Sequence, residues 1–98
     1  MSNRMVTYRV RDGLADENSK YVREVMADLE TRRTEGVTYA VYLLEDGVTF
    51  LHVAQEEGEG GAIQVSEAFQ RFTATLVEDR CANTPELHMM TLVGRYAG

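Results

Sequence analysis

The chain has 98 residues, 44% of them hydrophobic and 27% charged, with a formal net charge of −6. That length supports one domain with one modest core, so residues 1–98 are expected to form a single domain, and the composition excludes a disordered or fibrous chain. The acidic balance is the wrong sign for following a phosphate backbone or an anionic bilayer, and no stretch nears the roughly 20 apolar residues of a membrane span. Neither nucleic acid nor membrane is expected as a partner. Arg4 is not followed by the apolar core of a signal peptide, so a cytoplasmic location is the expectation.

Val6, Tyr8 and Val10 alternate with Thr7, Arg9 and Arg11, the period of a strand, and Asp12-Gly13 closes it with turn chemistry. From Asp16 the spacing changes. Tyr21, Val22, Val25, Met26 and Leu29 recur with helical period, and Gly36 is expected to stop that helix. A second strand, Val37–Glu45, is apolar on both faces: Val37, Tyr39, Val41 and Leu43 point one way, Ala40, Tyr42 and Leu44 the other. Asp46-Gly47 predicts a hairpin into a third strand, Val48–Gln55, where Phe50, His52 and Ala54 alternate with Thr49, Leu51 and Val53. Glu56–Gly61, acidic and glycine-rich, reads as a mobile surface loop. Ser66 is expected to cap a second helix carrying Phe69, Phe72, Leu76 and Val77 on one stripe, with Asn83-Thr84-Pro85 as its end. Leu87–Tyr96 reads as the last strand.

The order β-α-β-β-α-β is that of an α+β, ferredoxin-like domain with an antiparallel sheet. One such domain leaves a sheet face bare, and burying it is worth roughly 25 cal/mol per Å² removed from water. A homodimer stacked on that face is therefore expected.

Among candidate site residues, His52 stands out, because it lies mid-strand beside Phe50 and a histidine titrates near neutral pH. It reads either as a catalytic base or as a hydrogen-bonded core histidine. His88 opens the last strand, which suits a partly exposed position. The first strand separates the two histidines in the expected strand order, and two ligands do not make a catalytic metal site, so no metal is expected. Arg9, in a central strand, either pairs with a carboxylate or orients an anionic, enolate-like ligand. Phe50, Phe69, Phe72, Tyr39 and Tyr42 are the candidate substrate contacts, equally readable as core. Cys81 has no disulfide or metal partner in the sequence.

Four segments carry a resemblance: Tyr8-Arg9-Val10-Arg11-Asp12-Gly13, the hairpin Glu45 to Val53, Ala68-Phe69-Gln70-Arg71-Phe72, and Thr91-Leu92-Val93-Gly94-Arg95-Tyr96. Together they resemble the antibiotic biosynthesis monooxygenase-like domains of the dimeric α/β-barrel superfamily, over nearly the whole chain. The resemblance implies a homodimer whose subunits each hold a cleft between sheet and helices. In some relatives that cleft oxygenates phenolic or quinol-type polyketides without metal or flavin; others degrade haem. The implied function is a cofactor-independent monooxygenase acting on an aromatic or polyketide-like molecule, with His52 taking a phenolic proton and Arg9 stabilising the anion. Characterised members rely on a tryptophan, an asparagine and a histidine in the cleft. This chain has no tryptophan, and Asn3, Asn18 and Asn83 are expected at the terminus, near the first helix start and in a turn. That absence, with no convergent polar cluster in view, favours the alternative of a non-catalytic dimeric ligand-binding or accessory protein. A haem-degrading oxygenase ranks third.

Overall fold

Two helices lie on one face of a four-stranded antiparallel sheet in the computed structural model, which describes residues 2–58 and 60–98. Strand β1 spans Ser2–Arg9, helix α1 Ala15–Thr31, β2 Val37–Leu43, β3 Thr49–Glu56, α2 Glu67–Thr75 and β4 Glu86–Met89. The strand order is β2-β3-β1-β4, so β1 and β3 are central and the fold is ferredoxin-like.

The register puts side chains of three strands in rows across the helix-covered face. Arg4, Ala54 and Tyr39 form one row, Val6, His52 and Val41 the next, Tyr8, Phe50 and Leu43 the third. Tyr8, Val10, Val25, Phe50, Ala68, Phe72 and Leu76 form the buried core between this face and the helices. Tyr8 and Phe50 stack with ring centroids 5.7 Å apart.

Several ends differ from the sequence expectation. Helix α1 stops before Gly36: Arg33 takes the left-handed conformation at φ 51°, with its N–H donating to Glu30 O and the Thr34 N–H to Leu29 O. This is a Schellman closure carried by arginine in place of glycine. Strand β2 ends at Leu43, because Asp46 builds a longer hairpin loop by accepting the backbone N–H groups of Val48 and Thr49 at 2.9 Å each. Glu56 belongs to no surface loop. It is 1% exposed at the end of β3, accepting from Arg4 Nη1 at 2.6 Å and from the Ile63 N–H at 3.0 Å; Glu59 of the same expected loop lies outside the described residues. The largest correction is β4, which covers Glu86–Met89 instead of Leu87–Tyr96. Its ladder along β1 is used up once the Met90 N–H reaches Asn3 O at 2.8 Å, and Val93 and Tyr96 beyond it are exposed.

Helix α2 runs without a break into one π-helical turn, Leu76–Arg80. Its start is fastened to α1: Ser66 Oγ accepts the Phe69 N–H at 3.2 Å and donates to Asp28 Oδ2 at 2.5 Å. Ser66→Ala removes both the cap and the link. It is expected to cost about 1 kcal/mol, the usual worth of an N-cap, read as a lower urea midpoint at unchanged slope.

Candidate functional site

Between the sheet and α2 lies a cavity of about 280 Å³, open at one side and lined mainly by apolar groups, among them Ile63, Phe69, Phe72 and Leu76. Its polar wall is the side of the sheet where Arg4, Tyr39 and His52 meet. The alternation of β1, β2 and β3 forces this convergence, since all three residues stand on the helix-covered face in adjacent rows.

His52 is buried, and both ring nitrogens are engaged. Nε2 is 2.8 Å from the Tyr8 hydroxyl and Nδ1 is 2.6 Å from that of Tyr39. Tyr8 in turn accepts from Asn18 Nδ2 at 2.8 Å, and Asn18 Oδ1 accepts from Arg80 Nε at 2.8 Å. A single hydrogen-bonded chain therefore runs from Arg80 through Asn18, Tyr8 and His52 to Tyr39 at the cavity. Arg80 is 1% exposed. Its other nitrogens donate to Thr75 Oγ1 and Phe72 O, and its guanidinium lies 4.0 Å over the Tyr21 ring. Arg80 closes the π-helical turn and folds back on Phe72 and Thr75 of the same helical segment.

Burial dominates the electrostatics. It lowers the His52 pKa from 6.5 to about 4, so the ring is neutral at neutral pH. Burial likewise pushes the Tyr8 and Tyr39 phenols well above their ordinary value, with Asn18 partly offsetting it at Tyr8 and the Arg4 charge at Tyr39. Burial works against the Glu56 carboxylate, yet the Ile63 N–H and Arg4 outweigh it and hold the carboxyl below its usual range.

The expected site residues divide. His52, Tyr39, Phe69 and Phe72 line the cavity. Phe50 is core beneath Tyr8, away from the cavity wall. Tyr42 is on the opposite, open face of the sheet, 55% exposed, as the strand alternation requires. Arg9 does not enter the cleft: it is exposed on the face opposite Tyr8, where its charge acts on the Asp46 carboxylate of the hairpin, so orienting a ligand in the interior is not open to it. The cation at the cavity is Arg4. His88 is exposed on β4, 3.6 Å from Glu86, with β1 between it and His52. Cys81 is buried beside Val10. No group of three or more His, Cys, Asp or Glu side chains converges among the described residues.

A convergent polar cluster does exist, contrary to expectation, and it uses Asn18 and Arg80. Both stand in the phase of an apolar stripe, Asn18 three and four positions before Tyr21 and Val22, Arg80 four after Leu76. A polar residue in a buried phase is the signal that marks them.

The neutral His52 has a measurable consequence. Between pH 6.5 and 4 the unfolded histidine binds a proton that the folded ring refuses, so stability falls as pH drops through that window. The slope is expected to be about 1 kcal/mol per pH unit from this group. Urea midpoints of the wild type and His52→Gln check it: the variant should lose that slope, and parallel pH profiles would contradict a buried neutral ring.

No protein-family model matches the chain, and neither does any curated protein. Solved structures do match. A protein of Pseudomonas aeruginosa superposes with a TM-score of 0.76 at 18% identity, over 95% of this chain and 94% of the other. A candidate antibiotic biosynthesis monooxygenase of Nitrosomonas europaea gives 0.76 at 14% identity, over 94% and 89%. Another of that name, from Bacteroides thetaiotaomicron, gives 0.73 at 16%, over 99% and 93%. The chain shares the ferredoxin-like fold of these structures.

Proposed function

We propose that the cavity binds a small, ring-bearing, largely apolar molecule and that the protein is a cofactor-independent monooxygenase acting on an aromatic or polyketide-like substrate. The observation carrying this is an apolar cavity with its polar groups gathered on one wall, the usual form of a site that orients a small ligand. The names of several structures with the same fold support the reaction class. In such a reaction the bound molecule supplies the four electrons that reduce dioxygen, one oxygen atom entering it and the other leaving as water. Ionisation of a phenolic substrate favours that transfer. Arg4 stabilises the anion by its charge, while His52 acts only through Tyr39 and Tyr8, because its nitrogens already bond those hydroxyls.

The alternative of a non-catalytic binding protein keeps one point in its favour: His52, at a pKa of about 4 with both nitrogens engaged, is a poor proton acceptor at neutral pH. Oxygen uptake with a panel of hydroxylated aromatics separates the two readings. Ala54 is 5% exposed and lines the cavity, so Ala54→Leu fills it. Uptake by the wild type that falls more than about tenfold in Ala54→Leu supports the enzyme. Binding of the same compounds without uptake supports the binding protein.

We also propose that a second copy of the chain covers the open sheet face. Tyr42, Leu92, Val93 and Tyr96 are exposed there and in the segment after β4. Light scattering should give twice the 11.0 kDa of one chain, and Tyr42→Glu should shift the species toward that single-chain mass; a wild-type monomer would refute the pairing.

A further inference from the structure

The chain from Arg80 to Tyr39 has a direction that heavy-atom geometry alone determines. A guanidinium has donors and no acceptor, so the Asn18 atom facing Arg80 must be its oxygen, and its NH₂ must donate to Tyr8. Tyr8 therefore accepts from Asn18 and has one proton left to give. In its buried position the available acceptor among the described residues is His52 Nε2, at 2.8 Å. If Nε2 carried the proton instead, the Tyr8 hydroxyl hydrogen would have no acceptor in the core, at a cost of about 1–3 kcal/mol. With Nε2 accepting, the neutral ring holds its proton on Nδ1 and donates it to Tyr39, 2.6 Å away. The Tyr39 hydroxyl hydrogen is then left without a partner among the described residues, on the cavity wall. The unmet donor stands where a ligand or water can reach it, not in the core.

We infer that Arg80 and Asn18 are positioning residues that set the sense of every hydrogen bond out to the cavity, so that Tyr39 offers its O–H to an acceptor oxygen of the ligand. The ligand class is a planar or near-planar apolar skeleton bearing a carbonyl, enolate or phenolate oxygen, seated between Tyr39 and Arg4. This rests on the reading of the cavity as a small-molecule site. It adds which end of the ligand is held and why: each donor in the chain is polarised by the one behind it, with a buried positive charge at the origin. Neither Arg80 nor Asn18 touches the ligand.

Asn18→Asp tests the direction with almost no change of shape. An aspartate accepts from both neighbours, so Tyr8 must donate toward residue 18, His52 must move its proton to Nε2, and Tyr39 must donate back to Nδ1. Two-bond proton–nitrogen correlation spectra should show the Nδ1–H tautomer of His52 in the wild type and the Nε2–H tautomer in the variant. Titration with 1-tetralone and tetralin, which share a carbon skeleton and differ in one carbonyl oxygen, reads the ligand end. The wild type should prefer 1-tetralone by roughly tenfold, the worth of one hydrogen bond. Asn18→Asp and Tyr39→Phe should both lose that preference; Tyr39→Phe, which leaves the Arg80–Asn18–Tyr8 contacts in place, serves if the aspartate variant does not fold. An Nε2–H tautomer in the wild type overturns the direction, and an unchanged tautomer in Asn18→Asp overturns the role of Asn18. The expected tautomers with no preference for 1-tetralone overturn the ligand class. Failure of both compounds to bind, with the tautomers as expected, refutes the cavity reading and leaves the direction standing.

Discussion

The buried guanidinium of Arg80 is the constraint around which the interior is arranged. Removing such a group from water costs several kcal/mol even after relaxation, and among the described residues no carboxylate pairs with it. The compensation is distributed: an amide oxygen from α1, a hydroxyl and a carbonyl from its own helical segment, and the face of Tyr21. A cation over an aromatic ring in a desolvated setting is worth up to about 2 kcal/mol, and each hydrogen bond to a charged donor is worth a similar amount. These contacts join both helices, and Tyr8 extends them to the central strand. The polar chain is thus a structural tie as well as the wall of a cavity.

A second polar anchor, Arg4 with Glu56, works differently. It is an opposite-charge pair at the end of β1 and β3, with the carboxylate sealed by Arg4 and the Ile63 N–H. Arg4 reaches the cavity from this pair, which fixes its position. In the proposed reading one cation borders the ligand and one acts at a distance through oriented dipoles. In the proposed reaction, preorganisation of both kinds would avoid the cost of reorienting groups when negative charge develops.

Much of the fold is legible in the residues because it follows from local periodicity. Tyr8, His52 and Tyr39 could be placed on strands, and Ser66 on a cap, by spacing and side-chain chemistry alone. The length of β4 was not, since Leu87 to Tyr96 alternates like a strand and only the reach of β1 decides where pairing stops. The site was half legible. His52, Tyr39, Phe69 and Phe72 sit in the phases that face the helices, and the resemblance drew attention to a cleft. Arg9 misled because a strand being central says nothing about which of its faces is covered; one position of alternation separates it from Tyr8. Arg80 and Asn18 are marked in the sequence only as polar residues in a buried helical phase, which does not say what they meet. Their meaning lies in a contact 62 residues apart in sequence, which no local pattern contains.

The π-helical turn that follows α2 carries the buried cation at the origin of the polar chain. It follows α2 without a break, and its last residue, Arg80, is buried against Asn18, Phe72 and Thr75. A chain of this fold with an apolar residue in place of Arg80 would keep the same strand and helix patterns and the same apolar lining. Under the proposed direction its tyrosines and histidine would lose the donor that sets their polarity, and the cavity would greet donors and acceptors alike. In the proposed reading, discrimination between ligands of one shape rests on one buried side chain, a difference that comparison of backbones at the level of the fold passes over.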